Sequence, residues 1–334
     1  LASGMLRFGV ADIVAIIDRE HAGNTAGALL TKVKDVPIVS TIEESISLDA
    51  ETLIIGIAPP GGQLPHGWKE EIKKALMHGM NLVNPLHTWL NNDAEYTSLL
   101  TKNNWIWDMR KEPDNLTTGK GLAMQLHVPR VLSIGSDMAV GKMTALLELH
   151  NELLKQGIRS SFVATGQVGM CISGTGIPLD AIRMDYAAGA IEREVVNASR
   201  GADVVLIEGQ GALNHPAAGA NIALLRGAMP THLLFCAKAH QKGLETFPDI
   251  SIPPLHVLKT LYEDLACCGG TFPKAKTVGV ALNTQTLNED DARYEIKKLE
   301  DEFQVPVSDP VRFGLKTVTE ALIKDIKTHQ SIKL

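Results

Sequence analysis

The chain has 334 residues, more than the about 250–300 at which single cores usually stop growing, so we expect two domains. Its net charge of −6 lacks the basic surplus of nucleic-acid-binding proteins, so nucleic acid is not an expected partner. Hydrophobic residues make up 45% of the chain and charged residues 21%, which is typical of a globular protein. No apolar run approaches the ~20 residues that cross a bilayer, so we expect no membrane partner.

The cysteine pattern favours a reducing compartment. No two cysteines form a C-x-x-C pair, and no signal peptide is recognisable at the start of the sequence. We therefore expect a cytoplasmic protein with reduced, mostly buried thiols at Cys171, Cys236, Cys267 and Cys268.

The first part of the chain alternates strand-like and helical runs, which predicts a parallel sheet with crossovers. Strands are expected over residues 12–18, 37–39, 52–58 and 81–84, and a helix over residues 68–77. The segment from 96 to 127 is less regular and predicts a connection. We therefore predict a Rossmann-like domain over residues 1–125 and a second domain over residues 126–334. The first domain lacks the G-x-G-x-x-G fingerprint of dinucleotide binding, which ranks an oxidoreductase last.

The stretch from Val131 to Thr144 carries the main motif. An apolar strand enters a glycine-bounded loop, and Lys142 begins a helix that runs to about Gln156. In this layout backbone N–H groups and the helix N-terminus surround phosphates, and the lysine reaches the outer ones. The predicted ligand-binding residues of the loop are Gly135, Ser136, Asp137, Ala139, Val140, Gly141, Lys142, Met143 and Thr144.

This motif departs from the usual G-x-x-x-x-G-K-[ST] pattern in two ways. Gly135 lies one residue too early, and Met143 stands where a hydroxyl usually binds Mg²⁺. Thr144 is the nearest hydroxyl that takes this role. The alternative is a glycine-rich turn before an ordinary amphipathic helix.

A second motif ends in a carboxylate. Residues 203–207 form an apolar strand, which Glu208 ends and Gly209-Gln210-Gly211 follow. An acid at the end of a strand beside a phosphate loop is typical of a Mg²⁺-positioning residue, because this ion prefers carboxylate and water oxygens. The alternative is a structural acid. Together with the phosphate loop, the pattern makes Lys142 and Glu208 the candidate catalytic residues.

Two further strands follow, over residues 231–236 and 277–282. Lys238, His240 and Lys242 come after the first of them and either bind substrate carboxylates or phosphates or form a solvated basic loop.

Residues from about 128 onward resemble the dethiobiotin synthetase branch of P-loop proteins. The resemblance lies in Gly135-Ser136-Asp137 with Gly141-Lys142, in the run that ends at Gly211, and in Gly279-Val280-Ala281-Leu282-Asn283. It implies a P-loop NTPase-type domain with a mainly parallel sheet. It further implies that Gly141 and Lys142 hold phosphates, that Asn283 contacts the base, and that Thr144, Glu208 and Asp185 hold Mg²⁺. The lysine that dethiobiotin synthetase uses for its diamine is replaced by Thr165-Gly166-Gln167, so the substrate must differ.

The whole chain resembles a family that joins a Rossmann-like N-terminal domain to such a P-loop domain and includes D-glutamate N-acetyltransferases. Residues 139–144 and Asp309-Pro310-Val311-Arg312 carry this resemblance. It implies a glutamate-like substrate and an acyl donor such as acetyl-CoA. In that case the loop would bind the phosphates of CoA instead of those of ATP.

Taken together, the patterns predict a P-loop enzyme that binds ATP and Mg²⁺, or the phosphates of acyl-CoA, and activates or N-acylates a small amino or carboxylic acid. Proteins of this class often form dimers, so a homo-oligomer is expected. The alternative is a nucleotide-dependent regulatory ATPase or GTPase switch, which needs a protein partner that the sequence does not reveal.

Overall fold

The computed structural model describes residues 1–56 and 62–331. The chain divides into two compact units. The first contains Leu1–Glu112 and Met170–Gly174, and the second contains Pro113–Gly169 and Thr175–Leu334. In the described residues no helix is both long enough and apolar enough to cross a membrane.

The first unit holds two small parallel sheets. In one, β1 pairs with β2, and in the other the order is β3-β4-β5. The strands are β1 (Ile16–Ile17), β2 (Ile38–Val39), β3 (Thr52–Ile54), β4 (Asn81–Asn84) and β5 (Ile106–Asp108). The helices are α1 (Ala2–Phe8), α2 (Ala26–Leu29), α3 (Ile42–Ile46), α4 (Lys69–Met77) and α5 (Ala94–Thr97).

Two strand predictions in this unit were too long. The run over residues 12–18 is regular only in β1, and the run over residues 52–58 is regular only in β3, with residues 57 and 58 outside the described part of the chain. Ile13 and Ile16 of the first run pack in a small satellite cluster with Leu6, Ala26 and Val36, so burial in this cluster contributes to the apolar pattern beyond the two residues of β1.

The second unit is built on a six-stranded parallel sheet in the order β11-β10-β9-β6-β8-β7. The strands are β6 (Arg130–Gly135), β7 (Ser160–Val163), β8 (Val204–Ile207), β9 (His232–Lys238), β10 (Lys276–Asn283) and β11 (Val307–Ser308). The helices are α6 (Lys142–Lys155), α8 (Met184–Ala198), α9 (Ala220–Ala228), α10 (Leu255–Cys267), α11 (Glu289–Phe303) and α12 (Lys316–Ser331), and α7 (Gln167–Ser173) begins in this unit and continues into the Met170–Gly174 segment of the first.

Both faces of this sheet are covered, because its strands are apolar on both sides. Val131 of β6 packs with the core residues of α6 and α12, whereas its neighbour Leu132 packs with those of α8, α9 and α10. The chain leaves β6 toward β7 and β8 on one side and later returns to β9 on the other. In parallel α/β sheets, ligands bind where the strand order reverses, at the carboxyl ends of the strands. Here that position is the end of β6.

Candidate functional site

The loop that follows β6 has the backbone of an anion-binding nest. Ala139 and Gly141 both adopt left-handed conformations, with φ of +52° and +99°. Alternation of this kind turns successive N–H groups toward one point, and Gly141 is also the N-cap of α6, whose first N–H groups have no intrahelical acceptor. At Gly135 a Cβ atom would lie 2.9 Å from Val140 Cγ2, so the tight turn requires glycine. These observations favour the phosphate loop over an ordinary turn.

The side chain of Lys142 lies inside the loop. The residue is only 8% exposed, and its Nζ donates to the main-chain oxygen of Asp137 at 2.7 Å. Burial lowers the pKa of the Lys142 ammonium, which the nearby Asp137 and Glu208 carboxylates partly offset. The ammonium is thus poorly hydrated, and an incoming phosphate would supply a further acceptor beside the main-chain oxygen of Asp137.

Asp137 has a structural role that its position in the motif did not reveal. It is fully buried, and its Oδ1 accepts from the N–H of Met138 at 2.6 Å. Its Oδ2 accepts from Gln241 Nε2 at 2.6 Å and from the N–H of Glu245 at 2.7 Å. These partners lie more than 100 positions away in the sequence, so no local pattern signals them. Asp137 therefore fixes the phosphate loop to the segment after β9.

Glu208 lies at the end of β8 and is 5% exposed. Its Oε2 accepts from the N–H groups of Thr165 and Gly166 at 2.9 and 3.1 Å. Burial raises the pKa of the Glu208 carboxyl to about 7, although these two N–H groups and the Lys142 ammonium lower it. A carboxyl with a pKa near neutrality is suited to accept a proton at physiological pH.

Two glycines allow close packing near the end of β8. A Cβ atom at Gly169 would lie 2.5 Å from Glu208 Oε2, and one at Gly209 would lie 1.8 Å from the main-chain oxygen of Ser133. Gly169 is therefore required by the carboxylate of Glu208, and Gly209 by the backbone of β6.

Two further side chains donate hydrogen bonds to the main chain of the loop, and nothing in the sequence indicated this role. Asn214 Nδ2 donates to the main-chain oxygen of Ser136 at 3.0 Å, and the Tyr262 hydroxyl donates to that of Gly135 at 3.1 Å. Burial raises the pKa of Tyr262 to about 12, so this hydroxyl keeps its proton. Polar residues on separate helices and loops gave no periodic signal that linked them to β6.

The remaining predicted residues lie in different settings. Thr144 is half-buried in the first turn of α6, and Asp185 is exposed in the first turn of α8. Asn283 is half-buried at the end of β10, where its Oδ1 accepts from the N–H of Gln285 at 3.0 Å. Of the basic residues after β9, Lys238 pairs with Glu245 and His240 with Glu295.

The donor set does not fit Mg²⁺. This ion requires near-octahedral oxygen coordination, keeps several waters, and is usually held by one or two carboxylates together with substrate phosphates. Both oxygens of Asp137 and one oxygen of Glu208 already accept N–H groups, and Asp185 faces solvent.

The Asp309-Pro310-Val311-Arg312 motif joins two loops at the same edge of the sheet. Asp309 Oδ2 accepts from the N–H and hydroxyl of Thr284, and its Oδ1 accepts from the N–H groups of Val311 and Arg312. Arg312 in turn donates to the main-chain oxygens of Thr284 and Leu287. The motif thus fixes the loop after β10, which begins beside Asn283.

Comparison with protein families agrees with this geometry. A P-loop domain of unknown function, DUF1611_C, matches residues 117–319, and its Rossmann-like partner, DUF1611_N, matches residues 19–112. The chain belongs to the DUF1611 family. This membership confirms the two-domain resemblance that the sequence suggested and the mixed α/β fold with mainly parallel sheets.

Two curated relatives of this DUF1611 protein are each named D-glutamate N-acetyltransferase. One from Pseudoalteromonas sp. is 35% identical over 289 residues, and one from Tritonibacter scottomollicae is 34% identical over 287 residues. Each alignment covers 84% of this chain and 84% of the relative. A crystal structure of a DUF1611 family protein from Anabaena variabilis ATCC 29413 is 43% identical and superposes with a TM-score of 0.92, over 96% of this chain and 94% of that one.

Proposed function

We propose that this protein is an N-acetyltransferase that transfers an acetyl group from acetyl-CoA to the amino group of a glutamate-like amino acid. The observation that carries the proposal is the similarity, at 35% and 34% identity over 84% of the chain, to two proteins named D-glutamate N-acetyltransferase. The P-loop domain of the family supports a ligand that bears phosphates.

The phosphate loop supports the donor side of this reaction. CoA carries a diphosphate and a further phosphate on its ribose, and left-handed residues such as Ala139 and Gly141 are typical of loops whose N–H groups bind an anion. Lys142 adds a poorly hydrated ammonium to the same loop. The loop would therefore anchor the donor and leave its thioester to reach the acceptor.

Glu208 supports the chemical step. The amine nitrogen attacks the thioester carbonyl carbon, a C–N bond forms, the C–S bond breaks, and CoA leaves as a thiolate. The proton that the amine loses passes to Glu208 and from there to the thiolate sulfur, which leaves Glu208 ready for another cycle. The anchoring of Glu208 Oε2 by Thr165 and Gly166 would fix the direction of the carboxylate.

Direct transfer is favoured over an acetyl-cysteine intermediate. Cys236 adjoins the loop through its main-chain oxygen, which accepts from the N–H of Ser136. Its side chain is fully buried, and burial raises the pKa of the Cys236 thiol to about 12. A thiol that keeps its proton at neutral pH is a poor nucleophile.

The test is an assay of the purified full chain with acetyl-CoA and the D and L forms of glutamate and aspartate, with the N-acetyl product measured by mass spectrometry. This readout avoids thiol reagents, which would react with the exposed Cys268. We expect N-acetylglutamate without added ATP. Product formation that requires ATP and releases ADP would overturn the CoA-dependent mechanism. ATP hydrolysis without any acetylated product would favour the regulatory alternative.

A further inference from the structure

Phosphate loops of this fold usually bind their ligand together with a divalent cation, and the residues of this loop indicate whether it needs one. In the usual motif the hydroxyl directly after the lysine binds Mg²⁺. Met143 occupies that place here, and its side chain offers no hard oxygen ligand. Thr144 comes one residue later, about 100° further around α6, so its hydroxyl points in another direction.

The carboxylates near the loop do not compensate for this missing ligand. Asp137 accepts three hydrogen bonds and is fully buried, so a cation would have to displace Gln241 and Glu245 to reach it. Glu208 Oε2 accepts two backbone N–H groups and packs directly against Gly169. Both carboxylates thus already accept hydrogen bonds from backbone N–H groups.

The positive charge of the site comes instead from the protein. Lys142 contributes its ammonium, and the N-terminus of the fourteen-residue helix α6 contributes the equivalent of about +0.5 charge. A diphosphate that is esterified at both ends, as in CoA, carries one negative charge on each phosphate. The triphosphate of ATP carries about twice that charge and usually needs Mg²⁺ to offset it.

We propose that this phosphate loop binds the diphosphate of CoA without a divalent cation. The choice of CoA rests on the proposed function, whereas the independence from metal rests on the residues of the loop. The two claims therefore require experiments that separate them.

The experiment is calorimetric titration of the full chain with CoA, once in Mg²⁺ and once in EDTA. We expect the two dissociation constants to agree within about twofold, because no ligand of the ion is lost. A weakening in EDTA of about tenfold or more would overturn the inference while leaving the proposed function in place. Lys142→Ala should abolish binding in both buffers.

A parallel titration with ATP makes the two failures distinguishable. If ATP binds and CoA does not, the proposed function is wrong. The inference names the diphosphate of CoA, so it is then overturned together with the proposed function, whereas CoA binding that is lost only in EDTA overturns the inference alone. If neither ligand binds, both claims are overturned.

Met143→Thr provides a gain-of-function comparison. It supplies the hydroxyl at the usual place, so ATP binding should become stronger in Mg²⁺ than in EDTA in this variant only. Stronger ATP binding in Mg²⁺ than in EDTA that is equally large in the wild type and in Met143→Thr would show that another residue already holds the ion, and would overturn the inference.

Discussion

At the scale of single residues, Lys142 and Glu208 are two ionisable side chains that burial shifts toward their neutral forms. Burial lowers the pKa of Lys142 and raises that of Glu208, and each charge partly restores the other. Such groups are costly for the folded protein, because they lose their hydration. Their position at the carboxyl ends of β6 and β8, where a ligand is expected, gives this cost a functional explanation.

The raised pKa of Glu208 predicts how activity varies with pH. If Glu208 accepts the proton of the amine, it must be ionised, so its protonation below about pH 7 should lower kcat/KM by about tenfold per pH unit, in addition to the fall caused by protonation of the substrate amine. Deprotonation of the substrate amine adds a second limb at higher pH. Steady-state assays of the wild type and Glu208→Gln should share the upper limb, and only the wild type should show the lower one. A lower limb that persists in Glu208→Gln would assign it to another group.

The raised pKa of Glu208 also predicts that removing its negative charge increases the free energy of unfolding. The pKa of Glu208 is about 7 in the folded state and takes its ordinary value of 4.5 in the unfolded chain, so the folded state binds more protons between these values. The free energy of unfolding therefore falls as pH rises from about 4.5 to about 7, and this loss is complete at higher pH.

In Glu208→Gln this loss is absent, because the amide oxygen still accepts hydrogen bonds and carries no charge. Denaturant unfolding at pH 8 should show a free energy of unfolding higher by up to about 3 kcal/mol than that of the wild type. The exposed Glu320→Gln serves as the control and should change it by less than about 0.5 kcal/mol. A less stable Glu208→Gln would mean that the folded protein depends on the anion.

At the scale of elements, the segment from Pro113 to Gln125 lies close against α8 at Glu192 and Gly189. The buried carboxylate of Glu192 accepts from the N–H groups of Lys120 and Leu122 at 2.9 and 2.7 Å. At Gly189 a Cβ atom would lie only 1.9 Å from the main-chain oxygen of Thr117. The segment thus approaches the helix as closely as glycine permits.

This close approach predicts that Gly189→Ala is destabilising despite the high helix propensity of alanine. The backbone of the segment would have to move, at a cost of about 1–3 kcal/mol in the free energy of unfolding. Gly119→Ala is a matched control in the same segment, because its Cβ would meet Ala188 at an ordinary 3.5 Å. Thermal unfolding of both variants tests this, and equal midpoints would contradict the close packing.

At the scale of the whole molecule, the P-loop unit was predictable from local patterns. Its strands are continuous apolar runs, and α6 follows its glycine-bounded loop directly, so the order of elements could be read along the chain. The strands of the first unit were harder to predict. A short strand such as β1 has the same apolar pattern as a buried segment without regular structure, so the sequence does not distinguish them.

The sequence did not reveal contacts between residues that are distant along the chain. Asp137 is predicted as a ligand-binding residue from its place in the loop, and its carboxylate accepts from Gln241 and from the N–H of Glu245. The engagement of Glu208 by Thr165 and Gly166 is equally non-local. Residue type and spacing identify which side chains are present at the site, whereas tertiary hydrogen bonds decide which of their atoms remain available.

The measurement that tests the central claim most directly is the affinity of acetyl-CoA for the wild type, Lys142→Ala and the exposed control Lys316→Ala. A ligand at a hundred times its Kd adds about 2.7 kcal/mol to the free energy of unfolding, so thermal shifts can be checked against calorimetry. We predict that acetyl-CoA binds and stabilises the wild type and Lys316→Ala, and neither binds nor stabilises Lys142→Ala. Equal binding by all three proteins would contradict the claim that the phosphate loop holds the acyl donor.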